Sequence, residues 1–177
     1  VSQVIPNVYL LIVGGGQKQF EDELKAIPPR LGIGDRVQFV GMVPYDRLPS
    51  YLAMCDAFVT ASITEVHPLS VIEAMGTGLP VLGIDSPGVG DSISDCETGL
   101  LATNDMASFT ARMTYLCLNT ELRKRMGHAA RQASEQYDIE RTTRLMLQHY
   151  NRLTENPKPA KRRLDERLRH ILEEFMR

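Results

Sequence analysis

Two glutamates, Glu65 and Glu73, have the residue type and spacing that suit chemistry on a polyhydroxylated ligand. Glu65 follows a short apolar run at residues 57–60, and Glu73 lies in a helical pattern that begins near Pro68. A carboxylate offers two acceptor oxygens, which suit the vicinal hydroxyls of a ribose or a hexose. The helix would also point its free N–H groups and the positive end of its dipole at the same space, where they bind phosphate without a lysine. The sequence therefore predicts a loop–helix unit that binds sugar hydroxyls and a phosphate group.

The elements that must position this unit alternate between apolar runs and helical patterns. Strands are predicted at residues 8–13, 37–40, 57–60, 80–84 and 99–101, and helices at 17–27, 48–54, 68–75, 106–118, 121–136 and 139–153. The run at 8–13 is apolar throughout, which is typical of a parallel strand buried on both faces. Asn119 and Asp138 are expected to cap the last two helices. The alternation predicts an α/β fold, a Rossmann-like open parallel sheet with flanking helices and then C-terminal helices. Ligands of such sheets bind beyond the carboxyl ends of the strands.

Composition excludes several classes of protein. The 177 residues are 43% hydrophobic and 24% charged, which is typical of a single soluble domain. The formal net charge of −2 argues against nucleic acid as a partner, because that role normally needs a basic face. No run approaches the length of a membrane span, and the three cysteines form no C-x-x-C pair, so we expect a reduced, cytoplasmic protein without a structural metal.

The flanking motifs resemble a known family. Glu65 and Glu73 stand at the E-x7-E spacing of the retaining GT-B glycosyltransferases of group 1, also called family 4, and residues 73–81 resemble that family's EAMA.G.PV run. Other landmarks follow in the same order: residues 11–16 resemble L.IVG.G, 37–41 resemble V.F.G, 52–59 resemble Y...AD.FV and 95–101 resemble DG.TG.L. The resemblance extends over residues 8–150 and implies the C-terminal, donor-binding half of a GT-B enzyme.

The resemblance also implies a role for several site residues. The enzyme would transfer a hexose, with retention, from a nucleoside-diphosphate sugar to an acceptor glycan or lipid of unknown identity. Glu65 would orient the transferred sugar, and Glu73 would accept from the ribose hydroxyls. His67 stands in a loop that lacks the family's glycines, and its role as a side-chain donor beside Glu65 is our own hypothesis rather than part of the resemblance. Backbone around Leu69, Ser70 and Val71 would hold the diphosphate, and Met42 and Val43 would lie near the nucleobase. The leaving phosphate would help to deprotonate the acceptor, so neither a metal, nor a cofactor, nor a protein nucleophile is expected.

Gly15 and Gly16, in the turn after the first strand, are a further candidate for phosphate binding. Gln19 breaks the G-x-G-x-x-G pattern, and no Gly-Lys-Ser/Thr follows. A plain strand-to-helix turn is therefore the competing interpretation of these glycines.

Departures from the family pattern leave alternatives open. The family loop commonly reads E-G-F-G, whereas this chain has Glu65-Val66-His67-Pro68, and the family's Arg and Lys that clasp the diphosphate have no counterpart here. We expect a piece of a two-domain enzyme that lacks the N-terminal acceptor domain and is inactive alone. The missing first strand would lie near the middle of the sheet, so another strand, a reordered sheet or a partner would have to fill its place. A non-catalytic nucleotide-sugar-binding module and an enzyme resembling the nucleotide-sugar 2-epimerases remain as alternatives.

The C-terminal end has a different composition from the rest. We predict a nucleotide-sugar-binding domain at residues 1–154, a linker at 155–163 and an amphipathic helix at 164–177. The favoured interpretation of this helix is packing on the sheet or on the missing domain. Basic residues at 161–163 leave contact with an anionic membrane surface as an alternative, which would place the protein peripherally at the inner membrane surface, and a homo-oligomeric contact also remains open.

Overall fold

The computed structural model describes residues 1–155, and the predicted terminal helix and all but the first residue of the predicted linker lie outside the described residues. The chain divides into two compact units, Val1–Glu135 and a second that begins at Gln136. All the predicted site residues belong to the first unit.

Parallel strands form the centre of the first unit. They are β1 (Leu10–Val13), β2 (Val37–Gly41), β3 (Phe58–Val59), β4 (Val81–Ile84) and β5 (Gly99–Ala102). Every pairing between them is parallel, with β1 beside β2 and with the order β3-β4-β5 in a second sheet. The parallel α/β class predicted from the sequence is therefore confirmed, but the strands lie in two sheets that are not hydrogen-bonded to each other within residues 1–155.

Helices connect and cover these strands. They are α1 (Lys18–Lys25), α2 (Ile27–Arg30), α3 (Leu48–Ala53), α4 (Leu69–Gly76), α5 (Val89–Ser92), α6 (Met106–Leu118), α7 (Thr120–Ser134) and α8 (Ile139–Glu155). The crossover β3–α4–β4 is the parallel connection that the strand–helix alternation predicts, whereas the short helix α5 in the crossover β4–α5–β5 was not predicted from the sequence. Helix α8 belongs to the second unit, where Asp138 accepts a hydrogen bond from the Arg141 N–H at 3.0 Å and so caps it, as expected.

The buried core lies on both faces of β4. Val81 packs in a cluster with Val71, Met75 and residues of α7, whereas the next residue, Leu82, packs with Leu116 of α6 on the other face. Successive side chains of a strand point to opposite faces, so an uninterrupted apolar strand needs helices on both sides. This arrangement fixes α4 against the sheet and thereby sets which of its faces stays accessible.

Several local predictions were wrong in detail. The strand predicted at residues 8–13 begins only at Leu10, and it is half exposed rather than buried on both faces. Neither buried cluster of residues 1–155 includes a residue of β1. Helix α1 ends at Lys25, and the two prolines lie inside the separate helix α2, where a first-turn position needs no N–H donor. Asn119 occupies the N-cap position of α7, as predicted, but its side chain makes no capping hydrogen bond and donates instead to the Tyr115 carbonyl at 2.7 Å.

Candidate functional site

Glu65 lies in the loop that joins β3 to α4, beyond the carboxyl end of β3. The Ser62 hydroxyl donates to Glu65 Oε1 at 2.8 Å, and both residues are half-buried. A hydroxyl donor orients the carboxylate without neutralising it. The second oxygen, Oε2, stays available as an acceptor at the edge of the sheet where ligands of parallel α/β folds bind.

The loop after β4 packs closely against the backbone of Glu65. Gly88 is buried and has φ +80°, and a Cβ placed there would lie 2.2 Å from the Glu65 carbonyl oxygen. Only glycine combines this backbone conformation with this close approach. The Ser86 hydroxyl also donates to the Ser62 carbonyl at 3.3 Å. These contacts hold the Glu65 loop in one place relative to β4.

Helix α4 presents its N-terminus next to this loop. Its apolar face is buried through Val71, Ala74 and Met75, at positions i, i+3 and i+4, while Leu69 and Ser70 at its start are exposed. The sequence had predicted Pro68 in the first turn of this helix. In the structure it lies just before the first helical residue. This packing leaves the first turn of α4 open to a ligand.

Two of the three amides predicted to hold a diphosphate are engaged within the chain. The Leu69 N–H donates to the His67 carbonyl at 2.9 Å, and the Val71 N–H donates to the Pro68 carbonyl at 3.0 Å. The Ser70 N–H has no such partner among the described residues. His67 itself is exposed in the loop. Ser70 is thus the amide that a bound anion could reach without breaking a hydrogen bond.

Glu73 is half-buried on the second turn of α4 and meets a residue from another element. The Tyr45 hydroxyl donates to Glu73 Oε1 at 2.7 Å. Tyr45 opens the 3₁₀ turn Tyr45–Arg47, which follows β2 and the predicted nucleobase residues Met42 and Val43. This hydrogen bond, and then the charge of the carboxylate, raises the pKa of Tyr45 above its ordinary value of 10.0. The contact brings the loop after β2 to the helix that carries Glu73.

The glycine-rich turn after β1 also reaches the loop after β2. A Cβ at Gly15 would lie 3.0 Å from Cγ of Met42, and the Gly14 N–H donates to the Gly41 carbonyl at 2.9 Å. The Gly16 N–H donates to the Glu21 carboxylate at 2.8 Å, and this bond together with Lys25 lowers the pKa of Glu21. A carboxylate already satisfies the Gly16 amide, which favours the interpretation as a plain strand-to-helix turn; phosphate binding by Gly15 and Gly16 stays a prediction.

The structure gathers the predicted site residues in two groups, both of them in loops or helices that follow parallel strands. Glu65, His67 and the start of α4 lie with the loop after β4, and Glu73 lies with the loops after β2 and β1. Sequence reasoning missed Tyr45, Ser62 and Gly88. Ser62 stands only three residues before Glu65, so its place in the same loop could have indicated a hydrogen bond between the two side chains. Nothing in the spacing connects Tyr45 to Glu73.

Two concave surfaces lie near these elements. Val43 lines a pocket of about 310 Å³ together with residues of the following turn and α3: Pro44, Arg47, Ser50, Tyr51 and Met54. A broader open groove runs along α1 and α2 from Lys18 to Arg30 and contains none of the predicted site residues. Only the first of them adjoins the candidate site.

Residues 1–155 contain no group of three or more His, Cys, Asp or Glu side chains that could hold a metal ion. No helix in this part of the chain is long and apolar enough to cross a membrane.

Comparison with known proteins agrees with this architecture. The sequence model of the family described as "Glycosyl transferases group 1" matches residues 1–133. An uncharacterized glycosyltransferase of Haemophilus influenzae is 34% identical over 143 residues, which are 80% of this chain and 39% of that protein. The D-inositol 3-phosphate glycosyltransferase of Nocardia farcinica is 30% identical over 146 residues, 80% of this chain and 32% of that protein. The chain spans less than half the length of these relatives.

A similar structure carries a nucleotide. The Anabaena protein Alr3699/HepE in complex with UDP superimposes with a TM-score of 0.77 at 25% identity, over 86% of this chain and 43% of that one. A second structure of that protein, in complex with UDP-glucose, superimposes with a TM-score of 0.76. The fold of the described residues is thus that of one half of a larger known structure.

Proposed function

This chain belongs to the group 1 glycosyltransferases, and from that premise we propose that its first unit binds the nucleoside-diphosphate sugar that donates the transferred sugar. The observation that carries the proposal is the open N-terminus of α4, set between Glu65 before it and Glu73 on its second turn. The UDP and UDP-glucose bound by the similar Anabaena protein support a uridine diphosphate as the first ligand to test.

The diphosphate would bind at the start of α4. The Ser70 N–H, which has no partner among the described residues, and the positive end of the helix dipole favour an anion there, and such a site needs no basic side chain. Glu73 would accept a hydrogen bond from the ribose, and the nucleobase would lie beside Met42 and Val43, as the family resemblance implies. The Tyr45–Glu73 contact supports this assignment, because it joins the proposed ribose and nucleobase residues.

The transferred hexose would lie against Glu65. In a retaining transfer without a protein nucleophile, the bond from C1 to the diphosphate oxygen breaks, and the bond from C1 to the acceptor oxygen forms on the same face. The acceptor proton passes to the leaving phosphate. Glu65 orients the sugar through its hydroxyls, and His67 supplies a donor at the same place. The fixed position of the Glu65 loop supports such an orienting role, since orientation requires a rigid group.

Transfer as a whole needs a site for the acceptor. The chain spans 39% of its Haemophilus influenzae relative, so we propose that these residues bind donor and that transfer depends on further residues which hold the acceptor. The acceptor would be a glycan or a lipid.

Calorimetric titration of the chain with UDP, GDP and ADP tests the proposal. We expect UDP to bind, and Glu73→Gln to weaken its affinity about tenfold, because a charge-assisted hydrogen bond is replaced by a neutral one. Glu121→Gln is the matched control, since Glu121 is an exposed carboxylate on α7 outside the site, and it should leave the affinity unchanged. Absence of binding by all three nucleotides would overturn the donor-binding proposal.

A further inference from the structure

The hydrogen bond between Tyr45 and Glu73 lies outside the buried core. Tyr45 is 76% exposed, so burial does not hold it in place. Its hydroxyl nevertheless lies 2.7 Å from Glu73 Oε1, across the space between the loop after β2 and α4. An exposed tyrosine whose polar end meets the candidate ribose acceptor points to a role in ligand binding rather than in folding.

A carboxylate on a helix surface needs such a restraint to bind a diol well. A free glutamate side chain samples several rotamers, and fixing it on ligand binding opposes affinity. A hydrogen bond to one carboxylate oxygen removes part of that freedom before the ligand arrives. The other oxygen, Oε2, keeps its acceptor sites for a sugar hydroxyl.

We propose that Tyr45 is a positioning residue, which holds Glu73 through Oε1 so that Oε2 accepts a hydrogen bond from a ribose hydroxyl of the nucleoside diphosphate. The inference rests on the proposed function and extends it to a residue whose position in the sequence carries no motif. It also predicts the sign of the effect on affinity. Loss of the Tyr45 hydroxyl weakens nucleotide binding, and this effect acts only through Glu73 and the ribose.

A double-mutant cycle on the full 177-residue chain tests this dependence. We expect Tyr45→Phe to weaken UDP affinity about three- to tenfold, the range of one hydrogen bond at a partly exposed site. In a Glu73→Ala background the same substitution should change the affinity less than about 1.5-fold, because the group it restrains is absent. Tyr9→Phe is the matched control, since Tyr9 is similarly exposed at 72% and lies outside the site.

The ribose itself supplies a readout that a merely structural role would not move. For 2′,3′-dideoxy-UDP, which lacks both ribose hydroxyls, wild type and Tyr45→Phe should bind with equal affinity. If Tyr45→Phe lowered the affinity for UDP and for the dideoxy nucleotide equally, the proposal would be overturned, because Tyr45 would then act on another part of the ligand. Tighter UDP binding by Tyr45→Phe would also overturn it, since Tyr45 would then occupy the place of the ribose.

Ionisation of Tyr45 gives a measurement that is independent of any nucleotide. The difference between the ultraviolet titrations of wild type and Tyr45→Phe isolates this phenol, whose pKa Glu73 raises above 10.0. Glu73→Ala should lower that pKa, and an unchanged pKa would overturn the contact itself.

The two proposals fail in distinguishable ways. If wild type binds no nucleotide, both the proposed donor site and the proposed role of Tyr45 are wrong. If wild type binds UDP and Glu73→Ala weakens binding while Tyr45→Phe does not, only the role of Tyr45 falls.

Discussion

At the scale of single residues, both glutamates of the site meet neutral hydroxyl groups. Glu65 accepts from Ser62 and Glu73 accepts from Tyr45, and neither has an ion pair with a Lys or Arg among the described residues. Two uncompensated carboxylates would repel a diphosphate if they faced it directly. They suit sugar hydroxyls instead, and the diphosphate is left to the start of α4.

Glu65 belongs to the hexose side of this division, which gives a prediction on substrate preference. We expect Glu65→Gln to weaken UDP-glucose binding about fivefold while UDP affinity stays unchanged, because the substitution removes one charge-assisted hydrogen bond to the sugar alone. Calorimetric titration of both ligands measures the ratio. Ser62→Ala should shift the ratio of the UDP-glucose and UDP affinities in the same direction, but by less. If Glu65→Gln lowered both affinities equally, that result would contradict the role of Glu65.

The glutamates could be predicted from the sequence, whereas their partners could not. The E-x7-E spacing and the residues around it are local, so a motif reveals them. Tyr45 stands 28 residues before Glu73, and only the packing of the turn after β2 near α4 brings the two together. Gly88 stands 23 residues after Glu65, and the need for a glycine there follows from a close backbone approach that spacing does not encode.

At the scale of elements, one face of α4 packs in the core and the other carries site residues. Val71, Ala74 and Met75 face the core and α7, so the helix cannot turn without exposing them. Glu73 and the exposed first turn are thereby fixed on the opposite side. The sequence predicted this helix to within one residue at each end, because its apolar spacing and the flanking Pro68 and Gly78 are strong local signals.

The packing of α7 against the turn that follows α4 depends on a glycine. A Cβ at Gly127 would lie 2.1 Å from the Gly78 carbonyl oxygen, whereas one at Gly76 would meet nothing closer than 3.8 Å. We expect Gly127→Ala to lower the free energy of unfolding by about 1–3 kcal/mol through overpacking against backbone. Gly76→Ala, also in a helix, should be neutral or stabilising by up to about 1 kcal/mol. Urea denaturation measures both, and equal stabilities would contradict the close approach.

At the scale of the whole molecule, most of the buried core of residues 1–155 lies in the later elements. In this part of the chain the buried hydrophobic residues run from Leu52 to Ala130, with Pro28 of α2 also buried, and none lies in β1 or β2. A parallel pair of strands normally lies in a covered sheet, yet β1 and β2 remain apart from β3, β4 and β5 and half exposed. The sequence predicted an open parallel sheet and a vacant place near its middle. It did not predict two sheets, because pairing between strands is a property of the assembled fold rather than of any one strand.

The most direct test of donor binding is to observe which backbone amides respond to UDP. In the ¹⁵N-labelled chain, nuclear magnetic resonance spectra during a UDP titration report each amide separately. We predict that the largest shift changes occur at Leu69, Ser70 and Val71, with smaller changes in the loop that carries Glu65. Changes confined to the groove along α1 and α2, or no change at saturating UDP, would contradict a donor site at the start of α4.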